Sequence, residues 1–359
     1  MYAKYYFPTF TGDYYAVGYQ HGAWWAKYLQ QPSCEEYGAY FRQLLTRCWK
    51  PRYEPLFQNT LAAFPEIISE IEGMSQALLD SGYRTSPLHV FANCLGETGD
   101  RGCQCTAFVS LNRDGPILAH NEEESQVEPL CICKVILARE IRPEPFLAAS
   151  YPFQLFGSAF GGVNRHFAFQ GNSIGYAKHV RSIEATWQYR LPKTVFTRKW
   201  LECKSPKEAL SMCSGWLMSL PSHSYFITAS RAYSAEIRPL LAYQDCPIDQ
   251  LTLRQVHGVH CHTNHFVKNG RSDPDWAWKF NADRHESTAR LKFIASRTSC
   301  DDGVDEIQTI KLISMVAQHK KYKHKTSASF VVASSGKDFT ASISAWFNGC
   351  QYTIPLLEP

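Results

Sequence analysis

Apolar residues recur at helical intervals through the first hundred positions and at alternate positions over much of the rest. "AVGYQHGAWWAKYLQQ" has helical spacing, and "SCEEYGAYFRQLLTRCW" begins with a capping-type Ser33 ahead of two glutamates. "YEPLFQNTLAAFPEIISEIEGMSQALLDSG" continues the helical period and stops at Gly82, with Pro65 kinking or dividing it. "SPLHVFANCLGE" is a further short helix. From Cys105 the period changes to two. "CTAFVSL", the turn "NRDG" and "PILAHNE" read as a β-hairpin. "CICKVILARE", "PFLAASY", "RHFAFQGNS", "SYFITAS" and "YSAEIRP" are further strands, and "SFVVASSGKDFTASISAWF" is a hairpin turning at Ser335-Gly336-Lys337. Helices interrupt them at "TVFTRKWLECKSPKEALSMC", where Ser205-Pro206 starts a second segment, and at "NADRHESTARLKFIAS" and "DGVDEIQTIKLISMVAQH". Helices first, then strands with helices between them, predict an α+β fold. With no repeat and no Pro/Gly linker, one structural unit is expected.

Composition narrows the partners. The chain has 359 residues, 45% apolar and 19% charged, enough for a substantial core. A net charge of +4 and the single short basic run "HKKYKHK" give no nucleic-acid groove, so nucleic acid is not an expected partner. No stretch approaches the ~20 apolar residues that span a bilayer, and "MYAKYYFPTFTGDYY" does not read as a secretory signal. The 13 cysteines are an odd number in a long chain, which favours a reducing cytoplasmic setting with most thiols buried as small hydrophobes.

The stretch "RGCQCTAFVSLNRDGPILAHNEEE" holds the candidate chemistry. A cysteine heading a strand becomes self-sufficient if the peptide bond before it is cut. Its own α-amine, with an ordinary pKa of about 7.7 to 8, can then take the thiol proton. Two cysteines compete for this place, Cys103 and Cys105. Glycine precedes Cys103, whereas Gln104 precedes Cys105, and glycine more readily adopts the strained geometry that exposes a carbonyl to attack. Cleavage at Gln104/Cys105, a shifted register with Cys103 as nucleophile, and a chain that is never cut therefore all stay open.

Several motifs together resemble the penicillin acyltransferase-like family (acyl-CoA:6-aminopenicillanic acid acyltransferase) of N-terminal-nucleophile, or Ntn, hydrolases. Cys105-Thr106 leads through Asp114-Gly115 to Ala119-His120-Asn121-Glu122-Glu123, where the family carries a Cys-Thr pair and a "G-H-T-E-D" element at the same interval. "YYAVGYQHG" around Gly18 and Gly22, "GGVNRHFAFQGNS", "HCHTNHF", "FNADRHESTARLKF" and the ending "IPLLEP" extend the resemblance over nearly the whole chain. Within the family, the insect β-alanyl-dopamine and carcinine hydrolases are the most similar. The resemblance implies a four-layer αββα Ntn sandwich. Residues 1–104 would form a helical α-subunit and 105–359 the catalytic β-subunit of a heterodimer cut from one precursor.

The resemblance also implies roles. Cys105 would be the nucleophile and Gln104-Cys105 the cleavage site. Asn264, in "HTNH", would donate to the oxyanion, and Asn172 would help hold the amine or the oxyanion. Glu123 would orient the amine or bind a cationic substrate. Thr106 and Ser224 would line the pocket, while Arg284 would be structural. Glu122 and Glu124, one residue to either side of Glu123, are expected on the opposite face of the strand, in solvent. The implied reaction is hydrolysis of a small N-acyl amine of the β-alanyl type through a thioester, with acyl transfer to an amine as the alternative. No cofactor and no metal are expected. A competing pattern is "HGVHCHTNH", which packs His257, His260, Cys261, His262 and His265 together, with His260 and His262 on one strand face as in a chelate.

Overall fold

The computed structural model describes residues 7–95, 104–113, 115–124, 129–141, 144–174, 187–240, 248–264, 267–268, 271–272, 281–298, 309, 311, 325–334, 339, 342–347 and 350–356. Cys103, Arg284's side chain, His265 and most of the "DGVDEIQTIKLISMVAQH" segment lie outside the described residues.

Helices dominate the chain from Tyr14 to Cys94 because the sequence caps and breaks them. Asp13 accepts the Ala16 N–H at 2.8 Å and starts α1 (Tyr14–Leu29). α2 (Glu35–Leu44) follows a 3₁₀ turn at Pro32–Cys34, which absorbs Ser33, so the expected serine cap is not made. Pro65 divides the next helical run: α3 (Glu54–Ala63) ends at Phe64, whose φ of −143° leaves the helix, and α4 (Pro65–Asp80) begins with proline at its first position. Gly82, with φ +82°, provides the left-handed residue just beyond the end of α4. Ser86 caps α5 (Pro87–Cys94). α1 and α4 cross at close quarters because glycines face backbone there. A Cβ built on Gly18 would stand 1.9 Å from the Glu70 carbonyl oxygen, and one on Gly73 would stand 2.1 Å from that of Tyr15. We predict that Gly73→Ala forces the helices apart and costs on the order of 3 kcal/mol, read as a lowered urea midpoint. An unchanged midpoint would contradict the close crossing.

The strands are β1 (Thr9–Gly12), β2 (Gln104–Asn112), β3 (Gly115–Glu124), β4 (Cys131–Leu137), β5 (Phe146–Ser150), β6 (Gly161–Val163) and β7 (Ala168–Ser173). They continue through β8 (Arg190–Leu191), β9 (Leu217–Met218), β10 (Ser222–Ile227), β11 (Ala232–Leu240), β12 (Ile248–Val256) and β13 (Val259–His262). The last are β14 (Val267–Lys268), β15 (Arg271–Ser272), β16 (Lys325–Ala333), β17 (Ser342–Phe347) and β18 (Cys350–Pro355). Later helices among the described residues include α6 (Lys193–Trp200), α7 (Pro206–Gly215), capped by Ser205, and α8 (Asn281–Ala295). The fold is mixed α+β.

An eight-stranded sheet runs β1-β4-β5-β6-β7-β10-β11-β12, and a six-stranded sheet runs β13-β2-β3-β16-β17-β18. Their inner faces meet in one apolar cluster, where Ala107, Val109, Leu118 and Phe330 of the smaller sheet pack on Leu147, Ala168, Tyr225 and Ile227 of the larger. Helices cover the outer face of the larger sheet: Val17, Trp25, Ile71 and Phe196 join Val135, Phe146, Phe169 and Phe226 in a second cluster. α8 lies against β2 and β13. Strands that bury both faces lose strict alternation, which is why "CICKVIL" and "FLAAS" read as nearly continuous apolar runs.

The segment before residue 104 also supplies β1, which pairs parallel to β4 at the edge of the larger sheet. A buried ion network ties it to α6 and the turn beyond: the Arg198 Nε donates to Glu70 at 2.9 Å and its Nη1 to Glu202 at 2.6 Å, while Lys199 bridges Glu202 and Glu66. No described helix is long and apolar enough to cross a membrane.

Candidate active site

The β2–β3 hairpin sets the geometry. Asn112 pairs with Gly115 across a two-residue loop, so Cys105 stands opposite Glu122, Thr106 opposite Asn121 and Ala107 opposite His120. Ala107 and Leu118 belong to the inter-sheet core. Strand alternation therefore puts Cys105, His120 and Glu122 on that inner face and sends Thr106, Asn121 and Glu123 to the outer one.

Two buried polar groups result, one around the Cys105 thiol and one around its backbone. On the inner face Cys105 is 3% exposed, and its Sγ lies 3.9 Å from Glu122 Oε2. Glu122 is fastened by two neighbours: the Tyr151 hydroxyl donates to Oε2 at 2.9 Å, and His120 Nε2 meets Oε1 at 2.8 Å. The other nitrogen of His120, Nδ1, faces Gln170 Oε1 at 2.9 Å. His120 thus lies between Gln170, which faces its Nδ1, and the Glu122 carboxylate, which faces its Nε2.

On the outer side Arg290, from α8, gathers the second group. Its Nη1 pairs with Glu123 and donates to Thr106 Oγ1 at 2.6 Å and to the Cys105 carbonyl at 2.7 Å, and its Nη2 donates to Asn264 Oδ1 at 2.9 Å. The same Oδ1 accepts the Cys105 N–H at 2.8 Å, while Asn264 Nδ2 donates to the Ser173 carbonyl at 2.8 Å. Ser287 Oγ accepts the Asn264 N–H at 3.0 Å. Both ends of the Asn264 amide are thus matched to complementary partners, and its orientation is determined.

These positions alter several expectations. Glu122 is not solvated; it is 2% exposed and sits beside the thiol. Glu123 lies on the other side of the sheet, in an ion pair with Arg290 rather than facing the thiol, because the register places residue 122, not 123, opposite Cys105. Thr106 shares that outer group with Glu123. Asn264 does converge on Cys105, but with its oxygen, as an acceptor for the Cys105 nitrogen. Ser224 is on the wrong face for the thiol: it pairs with Gly171 on the side of β10 turned to the helices, where it lies with Lys193. Asn172 is on the inner face; its Nδ2 donates to the His262 carbonyl at 3.3 Å, and its buried Oδ1 has no hydrogen-bond partner among the described residues. Gln104 is in β2 opposite Glu123, with its side chain outside the described residues.

Sequence reasoning left Arg290, Tyr151 and Gln170 without a role and misplaced Glu122. A signal for Glu122 existed, since a two-residue loop at Arg113-Asp114 dictates the pairing Cys105 with Glu122. Arg290 had a weaker one. It shares the buried face of α8 with Ser287, Leu291 and Ile294, at the spacing of an apolar stripe, where a lone arginine needs a buried carboxylate.

Of the "HGVHCHTNH" motif, His260 and His262 join His223, Tyr225 and Glu236 in a buried polar cluster. The His262 ring stacks on His223 with centroids 3.6 Å apart and contacts Glu236 at 2.9 Å, while Tyr225 and His260 share a 2.6 Å hydrogen bond. Burial, reinforced by His262, holds His260 down to about 4, and burial pushes His223 well below the ordinary histidine range. Both are neutral in the folded chain at pH 6 but take up protons when it unfolds. Stability is therefore predicted to fall as pH drops from about 6.5 toward 4, by up to about 1.4 kcal/mol per pH unit for each ring. Urea midpoints at pH 7, 6 and 5 check this, and a flat series would refute it.

A scan against protein-family models finds no match for the chain, and no curated protein matches it.

Proposed function

We propose that the chain is an Ntn cysteine amidohydrolase of the αββα type, activated by cleavage between Gln104 and Cys105, and that it hydrolyses small N-acyl amines. The observation that carries the reading is the pair of polar groups meeting at one strand end. The Cys105 nitrogen is held by Asn264, its carbonyl by Arg290, and its thiol stands beside a buried carboxylate.

In self-processing, Sγ attacks the Gln104 carbonyl carbon and the Gln104–Cys105 C–N bond breaks. The thiol proton leaves by way of Glu122 and ends on the freed Cys105 nitrogen. Water then hydrolyses the thioester, leaving residue 104 as a carboxylate and Cys105 as an N-terminal residue. In turnover, the thiolate attacks the substrate amide and the Cys105 amine takes the thiol proton and passes it to the departing amine. Water then releases the acyl group. Asn264 acts here as the acceptor that positions the Cys105 amine. Asn172 Oδ1, buried without a partner among the described residues, would accept an N–H of the substrate. The substrate class, β-alanyl conjugates of aromatic or imidazole amines, comes from the family resemblance. A β-alanyl ammonium would find its counter-charge in Glu122, on the thiol's face, rather than in Glu123.

Acyl transfer uses the same residues and differs in whether water or an amine intercepts the thioester. The test is intact-mass analysis of freshly purified protein, then incubation with β-alanyl-dopamine or β-alanyl-histamine. Fragments of residues 1–104 and 105–359, with release of free amine, are expected. A persistently uncut chain that releases no amine would overturn the proposal. If a new amide forms when a second amine is added, the acyltransferase reading takes its place.

A further inference from the structure

The groups around the thiol are suited to a chemistry beyond nucleophilic attack. Among the described residues, one His/Cys/carboxylate trio brings its ligand atoms together. Cys105, His120 and Glu122 each offer one such atom, and all three atoms lie within 4.8 Å of one another. A tetrahedral zinc ion, with bonds of about 2.0 to 2.3 Å, spaces its ligand atoms roughly 3 to 4 Å apart. The Sγ to Oε2 distance is 3.9 Å and Nε2 to Oε1 is 2.8 Å, so with all three ligand atoms within 4.8 Å the side chains need shift by no more than about an ångström to reach that spacing.

Donor type and support point the same way. A thiolate, an imidazole and a carboxylate suit a borderline-soft divalent ion and not magnesium or calcium, which take oxygen alone. Metal-bound histidines characteristically give their second nitrogen to an oxygen acceptor, and Gln170 Oε1 is in that position on His120 Nδ1. The Tyr151 hydroxyl fixes the Glu122 carboxylate in the same outer role. All three ligands stand on one hairpin in fixed register, Cys105 opposite Glu122 and Ala107 opposite His120, so no loop has to close around the ion.

We infer that Cys105, His120 and Glu122 form a binding site for a zinc-class divalent ion, which reversibly occupies the thiol. Binding replaces the thiol proton, which leaves to solvent, with a sulfur–metal bond; affinity therefore rises with pH. Three protein ligands leave a fourth position for water. The expected consequence, inhibition of processing and turnover, rests on the hydrolase reading, whereas binding itself does not.

The experiment keeps these apart. Full-length protein, stripped with chelator, is titrated with cobalt(II) and followed by the near-ultraviolet thiolate-to-cobalt absorption. One ion per chain is expected, with the band lost in Cys105→Ala, unchanged in Cys261→Ser, and its affinity lowered about a hundredfold in His120→Gln. Where His120→Gln does not fold, Glu122→Gln gives the same reading. Zinc should displace cobalt and protect Cys105 from iodoacetamide, as mapped by peptide mass. No thiolate–cobalt band, or a band that survives in Cys105→Ala, would overturn the site. A chain that binds cobalt at Cys105 yet is never cut would leave the metal site standing and remove the hydrolase reading.

Discussion

Cys105→Ala is expected to give a single uncut chain and to lower amide hydrolysis by about 10⁴- to 10⁶-fold, the scale on which covalent catalysis depends on its nucleophile. The loss should be chemical and not structural. Replacing the thiol removes one small buried group from beside Glu122, worth on the order of 1 kcal/mol, so the urea midpoint should move little. Cys103→Ala in parallel should still be cut and active. Should Cys103→Ala be the inert variant while Cys105→Ala is processed, the nucleophile would be Cys103 and the pairing with Glu122 would be structural. Cys105→Ser keeps the geometry with a poorer nucleophile and should be cut slowly, over a time course that intact-mass analysis can track.

Arg290→Ala should have the largest effect on stability among the site residues. The guanidinium is 1% exposed and is paired with a Glu123 carboxylate that is itself 3% exposed. Its removal strands a buried charge, which costs about 3 to 5 kcal/mol. It also releases the Cys105 carbonyl and Asn264 Oδ1, so processing should slow in whatever fraction folds. Arg290→Lys cannot reach four partners with one ammonium and should recover only part of the loss. The decisive comparison is a double-mutant cycle by urea unfolding. Arg290→Met together with Glu123→Gln should be much more stable than Arg290→Met alone, because no buried charge is then left unpaired. Additive effects would mean that the pair does not hold the site together.

Much of the local structure is set by short stretches of chain. Pro65 at the first position of α4 and the caps at Asp13, Ser86 and Ser205 place helix starts where the sequence signals them. Ser33 is the exception, since Pro32 next to it starts a 3₁₀ turn that displaces the cap. Strands β12 and β18 went unread. "IDQLTLRQV" is an edge strand with Leu251 and Leu253 exposed, and the alternation of "CQYTIP" is too short to separate it from a loop. The site was half readable. Cys105 and Asn264 come from motifs, whereas Ser224 was carried over by position in a motif, and motifs do not say which face of a strand a residue occupies.

What the sequence by itself determined is therefore local: the helices between Tyr14 and Cys94, the hairpin after Cys105, the polar cluster at its end, and a cysteine at a strand start as candidate nucleophile. Tertiary structure decided which carboxylate the thiol meets and which the arginine takes. That choice depends on the face each strand turns to the second sheet, and on bringing α8 and β13 to β2 across some 160 to 185 residues of chain. A period-two pattern reverses its faces with a slip of one residue, and no local preference of Glu122 or Glu123 distinguishes them. Only packing of the inner face against Leu147, Ala168 and Tyr225 settles the matter, because burying the apolar side of β2 there carries Cys105 and Glu122 inward and leaves Glu123 to Arg290.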